Sequence, residues 1–256
     1  MKRQILRILC AAAAATLALG ILLQPAAALG RTSGTEPAGQ ADSVATGTNR
    51  EWLPAFTAVE VSAPVEIRFV RVPDTEAPKI VYDTKGSYTT KFRAEVRDRV
   101  LRITERRDAR RPERTTVTVC YNTLERISIT DASATFEEGF TAPMLDLEVG
   151  GTAHVVADID IRDLRMELTG RSMAELRGEA RYLSLFVSTG KVEAAELESM
   201  SVMVNVTGSG RASVWVTDRL EAKTSTGGAI SYKGDPAILR LNEKFMGGSI
   251  TRLETK

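Results

Sequence analysis

The chain has 256 residues, 43% of them hydrophobic and 26% charged, a mixture that excludes bulk disorder and a multi-pass membrane protein. A formal charge of +1 supplies no overall basic field of the kind that holds nucleic acid. The length fits one large domain or two small ones.

Residues 1–28 read as a secretory signal peptide. "MKRQILR" carries Lys2, Arg3 and Arg7, an apolar stretch runs from Ile8 to Leu23, and "QPAAALG" follows, which places cleavage after Ala28. The apolar run is 16 residues, short for a membrane span, so no span is expected in the mature chain. Losing the three basic residues takes the formal charge from +1 to −2. One cysteine, Cys120, then remains, in the apolar run "TVTVCY". It has no partner for an internal disulfide and reads as a buried core thiol. Residues 29–51, rich in Gly, Ser, Thr, Ala and Pro without apolar periodicity, read as a flexible linker.

From Trp52 onward the pattern is strand after strand. "FTAVEVSAPVEIRFVRV" puts Val59, Val61, Val65, Ile67 and Phe69 on one parity. "KIVYDTKGSYTTKFRAEVRDRVLRITE" continues with turn residues Asp83 and Gly86, "RRDARRPER" (106–114) is a charged loop, and "TTVTVCY" is a further strand. No segment here keeps a long 3.6-residue apolar period.

The second half divides at glycine turns into units of roughly 18 to 22 residues. Turns are expected at Gly150, Gly170, Gly190, Gly208, Gly227 and Gly247. The inward set is Leu145, Leu147, Val149; Leu164, Met166, Leu168; Leu183, Leu185, Val187; Val202, Val204, Val206; and Leu220, Ala222, Thr224. One unit has too few apolar residues to bury its own face, so the units must stack as a solenoid. "MAELRGEARYL" (173–183) has helical composition, but its place in the repeat matches "GGTAHVVADIDI" and "GSGRASVWVTD". It is therefore predicted to be a strand, because tertiary context overrides propensity.

The C-terminal pattern "VTGSGRASVWVTDRLEAKTSTGGAISYKGDPAI", with Tyr232-Lys233-Gly234-Asp235-Pro236 and then Gly247-Gly248-Ser249-Ile250, resembles the family of putative auto-transporter adhesins with a head GIN domain. The resemblance spans about residues 55–253. It implies an all-β, right-handed parallel β-helix-like solenoid in exported bacterial proteins, and it brings no catalytic set. The chain departs from the pattern in its Arg-rich 106–114 loop and in lacking a turn glycine near Thr130 and Asp131. The resulting domain is 52–256, its strand-rich N-terminal half supplying either the first coils or a cap.

Chemistry-bearing residues are sparse. The one histidine, His154, lies in "GGTAHVVAD" with the parity of a surface residue. Asp158 and Asp160 point to one side of their strand and are the candidate metal ligands, since clustered oxygens hold Ca²⁺; the competing reading is that Ile159 and Ile161 face inward and the aspartates are solvated. No cofactor is called for, and there is no phosphate-binding loop. Outward positions on successive coils are Glu148, Glu167, Phe186, Asn205 and Lys223, and Trp215 lies between Val214 and Val216. Phe186 and Trp215 are therefore the candidate ligand-binding aromatics, able to stack on a sugar or a partner.

The sequence thus reads as a non-enzymatic exported binding or adhesion module, in the periplasm or at the cell surface, with a glycan or a cell-surface protein as partner. Two alternatives stay open. One is a carbohydrate-active enzyme using Asp158 and Asp160. The other is a self-assembling structural solenoid, against which "DPAILRLNEK" is expected to act as a cap.

Overall fold

The alternating segments do become strands, and they stack. The structure, a computed structural model, describes residues 48–86, 91–106, 113–137, 139–243 and 247–254. The signal-like segment 1–28 and residues 107–112 of the charged loop lie outside the described residues. Among the described residues there is no α-helix, and no helix long and apolar enough to cross a membrane.

The later coils are built from long strands paired in parallel: β10 (Phe140–Gly150), β11 (His154–Leu168), β12 (Met173–Val187), β13 (Lys191–Val206) and β14 (Arg211–Thr224). Two shorter pairs of tracks finish the stack, β15 (Ala229–Lys233) continued by β17 (Ser249–Arg252), and β16 (Ile238–Glu243) on β14. A strand alternates in and out, so two outward residues in succession mark a corner. Arg162–Asp163, Arg181–Tyr182 and Met200–Ser201 are such pairs.

The N-terminal half supplies both coils and a cap. β2 (Ala58–Ser62) pairs in parallel with β6 (Val100–Glu105) and β8 (Arg126–Thr130), while β3 (Glu66–Arg71) pairs in parallel with β7 (Thr116–Tyr121) and β9 (Ser133–Phe136). The coil laid down first therefore lies between two coils laid down later. Beyond them, β4 (Lys79–Asp83) runs antiparallel on β7, β1 (Thr48–Trp52) antiparallel on β4, and β5 (Phe92–Arg97) antiparallel on β6. β1 is a correction: the segment expected to be linker up to residue 51 already enters the sheet at Thr48. Its hold on β4 includes Tyr82 Oη donating to Glu51 Oε1 at 2.6 Å, and partial burial with that carboxylate pushes the phenol up to about 12.

Register turns the strands into continuous apolar columns. One runs Leu101–Val59–Ile127–Leu147–Met166–Leu185–Val204–Ala222–Leu241. Another runs Val117–Ile67–Ala134–Val155–Ala174–Val192–Ala212–Ile230–Ile250. All of the inward set read from the sequence is buried, Thr224 included. Cys120 is buried too, and desolvation pushes its thiol pKa up, away from reactivity.

The turns follow the glycines with one shift. Left-handed backbone falls at Gly151 and not at Gly150, then at Gly170, Gly190, Gly208, Gly227 and Gly247. In the preceding coil Asp131 takes the position, with φ 63°. Asp tolerates that conformation because its short side chain bonds locally. Here it bonds to the next coil, its Oδ1 accepting from the Thr152 N–H at 2.8 Å and hydroxyl at 2.9 Å. A Cβ on Gly151 would lie 2.4 Å from that same oxygen. The missing turn glycine is thus replaced by a side chain that itself demands glycine in the coil above.

"MAELRGEARYL" is extended throughout, and its one oddity is Gly178. At φ +100° a Cβ there would stand 2.2 Å from the Ile159 carbonyl oxygen, whereas at Gly227 the nearest such atom is 3.6 Å away. Gly178→Ala is expected to cost about 3 kcal/mol, through strain plus backbone clash. Gly227→Ala should cost only the left-handed penalty, about 1 kcal/mol. Denaturant midpoints of the two variants check this, and equal losses would contradict the close-approach reading.

Candidate functional site

The outward positions form ladders as regular as the core columns. One runs Arg102–Glu60–Ser128–Glu148–Glu167–Phe186–Asn205–Lys223–Asn242. The sequence-derived order Glu148, Glu167, Phe186, Asn205, Lys223 is therefore a physical row, with rungs about 4.8 Å apart. Its charges pair locally where they can, as in Arg102 Nε to Glu60 Oε2 at 2.9 Å and Lys223 Nζ to Glu221 Oε1 at 2.8 Å. The lysine lowers the carboxyl pKa of Glu221.

At mid-stack this polar row is interrupted. Phe186 is 40% exposed, Tyr182 on the same strand face is 45% exposed, and Met203 on the next coil is 54% exposed. The two rings are four residues apart on one strand, about 13 Å. Register pairs Ser184 with Met203 and Phe186 with Asn205, so Met203 is diagonal to Phe186 and Ser184 lies between the rings. Met144, 51% exposed, lies two coils earlier in the column of Tyr182. These are large apolar groups on a surface otherwise made of Asp163, Arg165, Glu167, Arg219 and Lys223. Such a rimmed patch marks an interaction surface. Sequence reasoning found Phe186 but missed Tyr182 and Met203. Met203 was accessible from parity, because Val202 and Val204 face inward. Tyr182 needed the corner, where two consecutive residues point out.

Trp215 requires correction. It is half-buried rather than openly exposed, because the coil above places Lys233 in register with it and sets Nζ 3.9 Å from the ring centroid. The cation lies over one face of the ring. Trp215 also stands in a different column from Phe186, following Asp160, Glu179 and Glu198. The structure does not bring the two aromatics together.

Asp158 and Asp160 are exposed, and Ile159 and Ile161 face the core. Asp158 is in register with Arg177, whose Nε meets Glu196 Oε2 at 2.9 Å. Asp160 lines a shallow corner groove of about 440 Å³ with Arg162, Glu179, Arg181, Glu198 and Met200. Among the described residues no three His, Cys, Asp or Glu side chains are grouped to hold a metal ion. His154 Nε2 lies 3.0 Å from Glu175 Oε1, on side chains that are both partly exposed.

A search of curated proteins returned no match. Among solved structures the fold is similar to a "putative adhesin" from Bacteroides fragilis, with TM-score 0.73 and 21% identity over 80% of this chain and 96% of that one. It is also similar to a "putative adhesin" from Parabacteroides merdae (TM-score 0.64, 16% identity, 81% and 95% covered). A third is a "putative lipid binding protein" from Parabacteroides distasonis (TM-score 0.63, 18% identity, 81% and 96% covered). These proteins are named as binders and not as enzymes.

If Lys233 shields Trp215, then Lys233→Ala in a Trp52→Phe background should shift the emission to the red, raise acrylamide quenching and cost about 1 kcal/mol. Unchanged emission and quenching would mean the ring is covered by something else. The family model described as "Putative auto-transporter adhesin, head GIN domain" matches residues 55–236, and the chain belongs to that family.

Proposed function

We propose that the protein is an exported, non-enzymatic binding or adhesion module of the cell envelope, and that Tyr182, Phe186 and Met203 form its contact face. The observation that carries this is the exposed aromatic and methionine patch on a rigid parallel sheet. Stacked coils fix the backbone that carries those side chains without the need for a ligand, so little backbone ordering entropy is lost on contact. Family membership and the basic-then-apolar N-terminus support an envelope location. The flat face, with ring surfaces flanked by Glu167, Asn205 and Lys223, suits a partner presenting both apolar and hydroxyl-bearing surface. A cell-wall or surface glycan meets that description, with ring stacking supplying contact and the flanking groups supplying hydrogen bonds.

The test is retention of the protein on a panel of cell-wall and mucin-type glycans, with released product scored in the same tubes. Wild-type protein should be retained without turnover, and Tyr182→Ala and Phe186→Ala should each weaken retention about tenfold, or about 1.4 kcal/mol. Asp158→Asn should leave it unchanged. Turnover would overturn the non-enzymatic reading, and retention that ignores both aromatic variants would remove this face.

A further inference from the structure

The face that carries the aromatic patch has three outward columns between the corner and the turn, in register from β10 to β16. β16 comes from "DPAILRLNEK", the segment expected to act as a cap, and instead adds one more parallel rung on β14. Charge is laid out on this face in rows. The two middle rows are uncharged: Tyr182, Ser184 and Phe186 on β12, then Ser201, Met203 and Asn205 on β13. The row below, on β11, reads Asp163, Arg165, Glu167, and the row above, on β14, reads Arg219, Glu221, Lys223. Column by column, the two charged rows are opposite in sign.

We infer that this face pairs with a second copy of the chain, about a two-fold axis that runs along the strands between β12 and β13. This rests on the reading of that face as the contact surface, and names a partner that competes with a glycan for it. Such an axis carries each row of one copy onto the row equally far beyond the axis in the other, column for column. Asp163 then meets Arg219 of the copy, Arg165 meets Glu221 and Glu167 meets Lys223, and the symmetry makes each pair twice. The pairs each chain makes for itself, Arg162 with Asp163 at 2.7 Å and Lys223 with Glu221 at 2.8 Å, become parts of longer alternating rows. In the middle, each large side chain meets a small or polar one: Tyr182 over Ser201, Met203 over Ser184 and Phe186 over Asn205. Sheets packed face to face about 10 Å apart interdigitate in this way. The outer rows agree, with Met144 facing Ile238, Asp146 facing Arg240 and Glu148 facing Asn242.

The charges select both the direction and the place of the axis. Turned to run along the stack, it would set Asp163 against Glu167, Arg219 against Lys223, and Arg165 and Glu221 each against themselves. Moved half a rung onto β12, it would set Asp146 against Glu221, and moved onto β13 it would set Arg165 against Arg240. Like charges opposed across an interface are costly. The overlap spans six coils and three columns, roughly 500 Å² on each copy, the low end of specific interfaces, where reversible pairs lie. A two-fold contact uses up the face, so it gives a closed pair and no fibre.

The experiment is sedimentation of the full-length chain and of its Arg165→Glu and Glu221→Arg variants, which leave Tyr182, Phe186 and Met203 in place. Wild type should be a concentration-dependent dimer. Each single variant opposes like charges twice and should raise the dissociation constant at least about tenfold. Mixing the two variants in equal amounts should restore the dimer, because each then supplies the sign that the other lacks. A second measurement uses chains carrying Arg165→Cys or Glu221→Cys in a Cys10→Ser background. A short bismaleimide should cross-link the two when mixed and neither when alone, and this pattern decides should a charge variant not fold. A wild-type monomer at its highest soluble concentration, association indifferent to both charge variants, or cross-linking of Arg165→Cys to itself would each overturn the inference. No glycan retention by any of the proteins, with the dimer still restored by mixing, would remove the glycan and leave the second copy as the partner.

Discussion

Everything in this protein depends on one constraint: an inward side chain is buried only by the side chains stacked above and below it. No coil closes a core by itself. Val155, Ala174, Val192, Ala212 and Ile230 occupy one column because parallel pairing holds equivalent residues at a fixed rise. The same rule fixes the turns. At Gly170, Gly190 and Gly208 the left-handed position passes close to the backbone of the coil below, which favours glycine there, and Asp131, the exception, bonds to Thr152 where it takes such a place.

That constraint made the repeat legible without coordinates. Parity alone identifies Leu183, Leu185 and Val187 as inward, and the repeat then forces "MAELRGEARYL" to be a strand against its composition. The non-sequential order of the first coils was not legible. "FTAVEVSAPVEIRFVRV" and "TTVTVCY" alternate alike, and nothing local in them says that β2 and β3 lie between β6–β7 and β8–β9. Antiparallel closure by β1, β4 and β5 was hidden for the same reason. The repeat also gave no sign that "AILRLNE" would extend the ladder, because Pro236 and the change of composition resemble a terminator.

At the surface, legibility followed the same boundary. Phe186 could be placed because its ladder is an uninterrupted part of the repeat. Trp215 was misjudged because its covering group, Lys233, belongs to a shorter coil whose register the sequence does not declare. The aspartates were read correctly as outward, and what they meet there is Arg177 and a carboxylate-lined groove. A repetitive scaffold of this kind does not supply a deep, preorganised pocket. It supplies flat, rigid faces whose composition changes coil by coil, and at β12 and β13 that composition turns from charged to aromatic and apolar.

Amide hydrogen exchange, measured on protein dilute enough to be single chains, tests the stacking account most directly. If burial comes only from neighbouring coils, the amides of β11 to β13, covered on both sides, should form the slowest class, and protection should fall through β14 and β15 to β16 and β17. Exchange in β16 and β17 as slow as in β12 would contradict the account, because it would show that the last coil is stable without a coil above it.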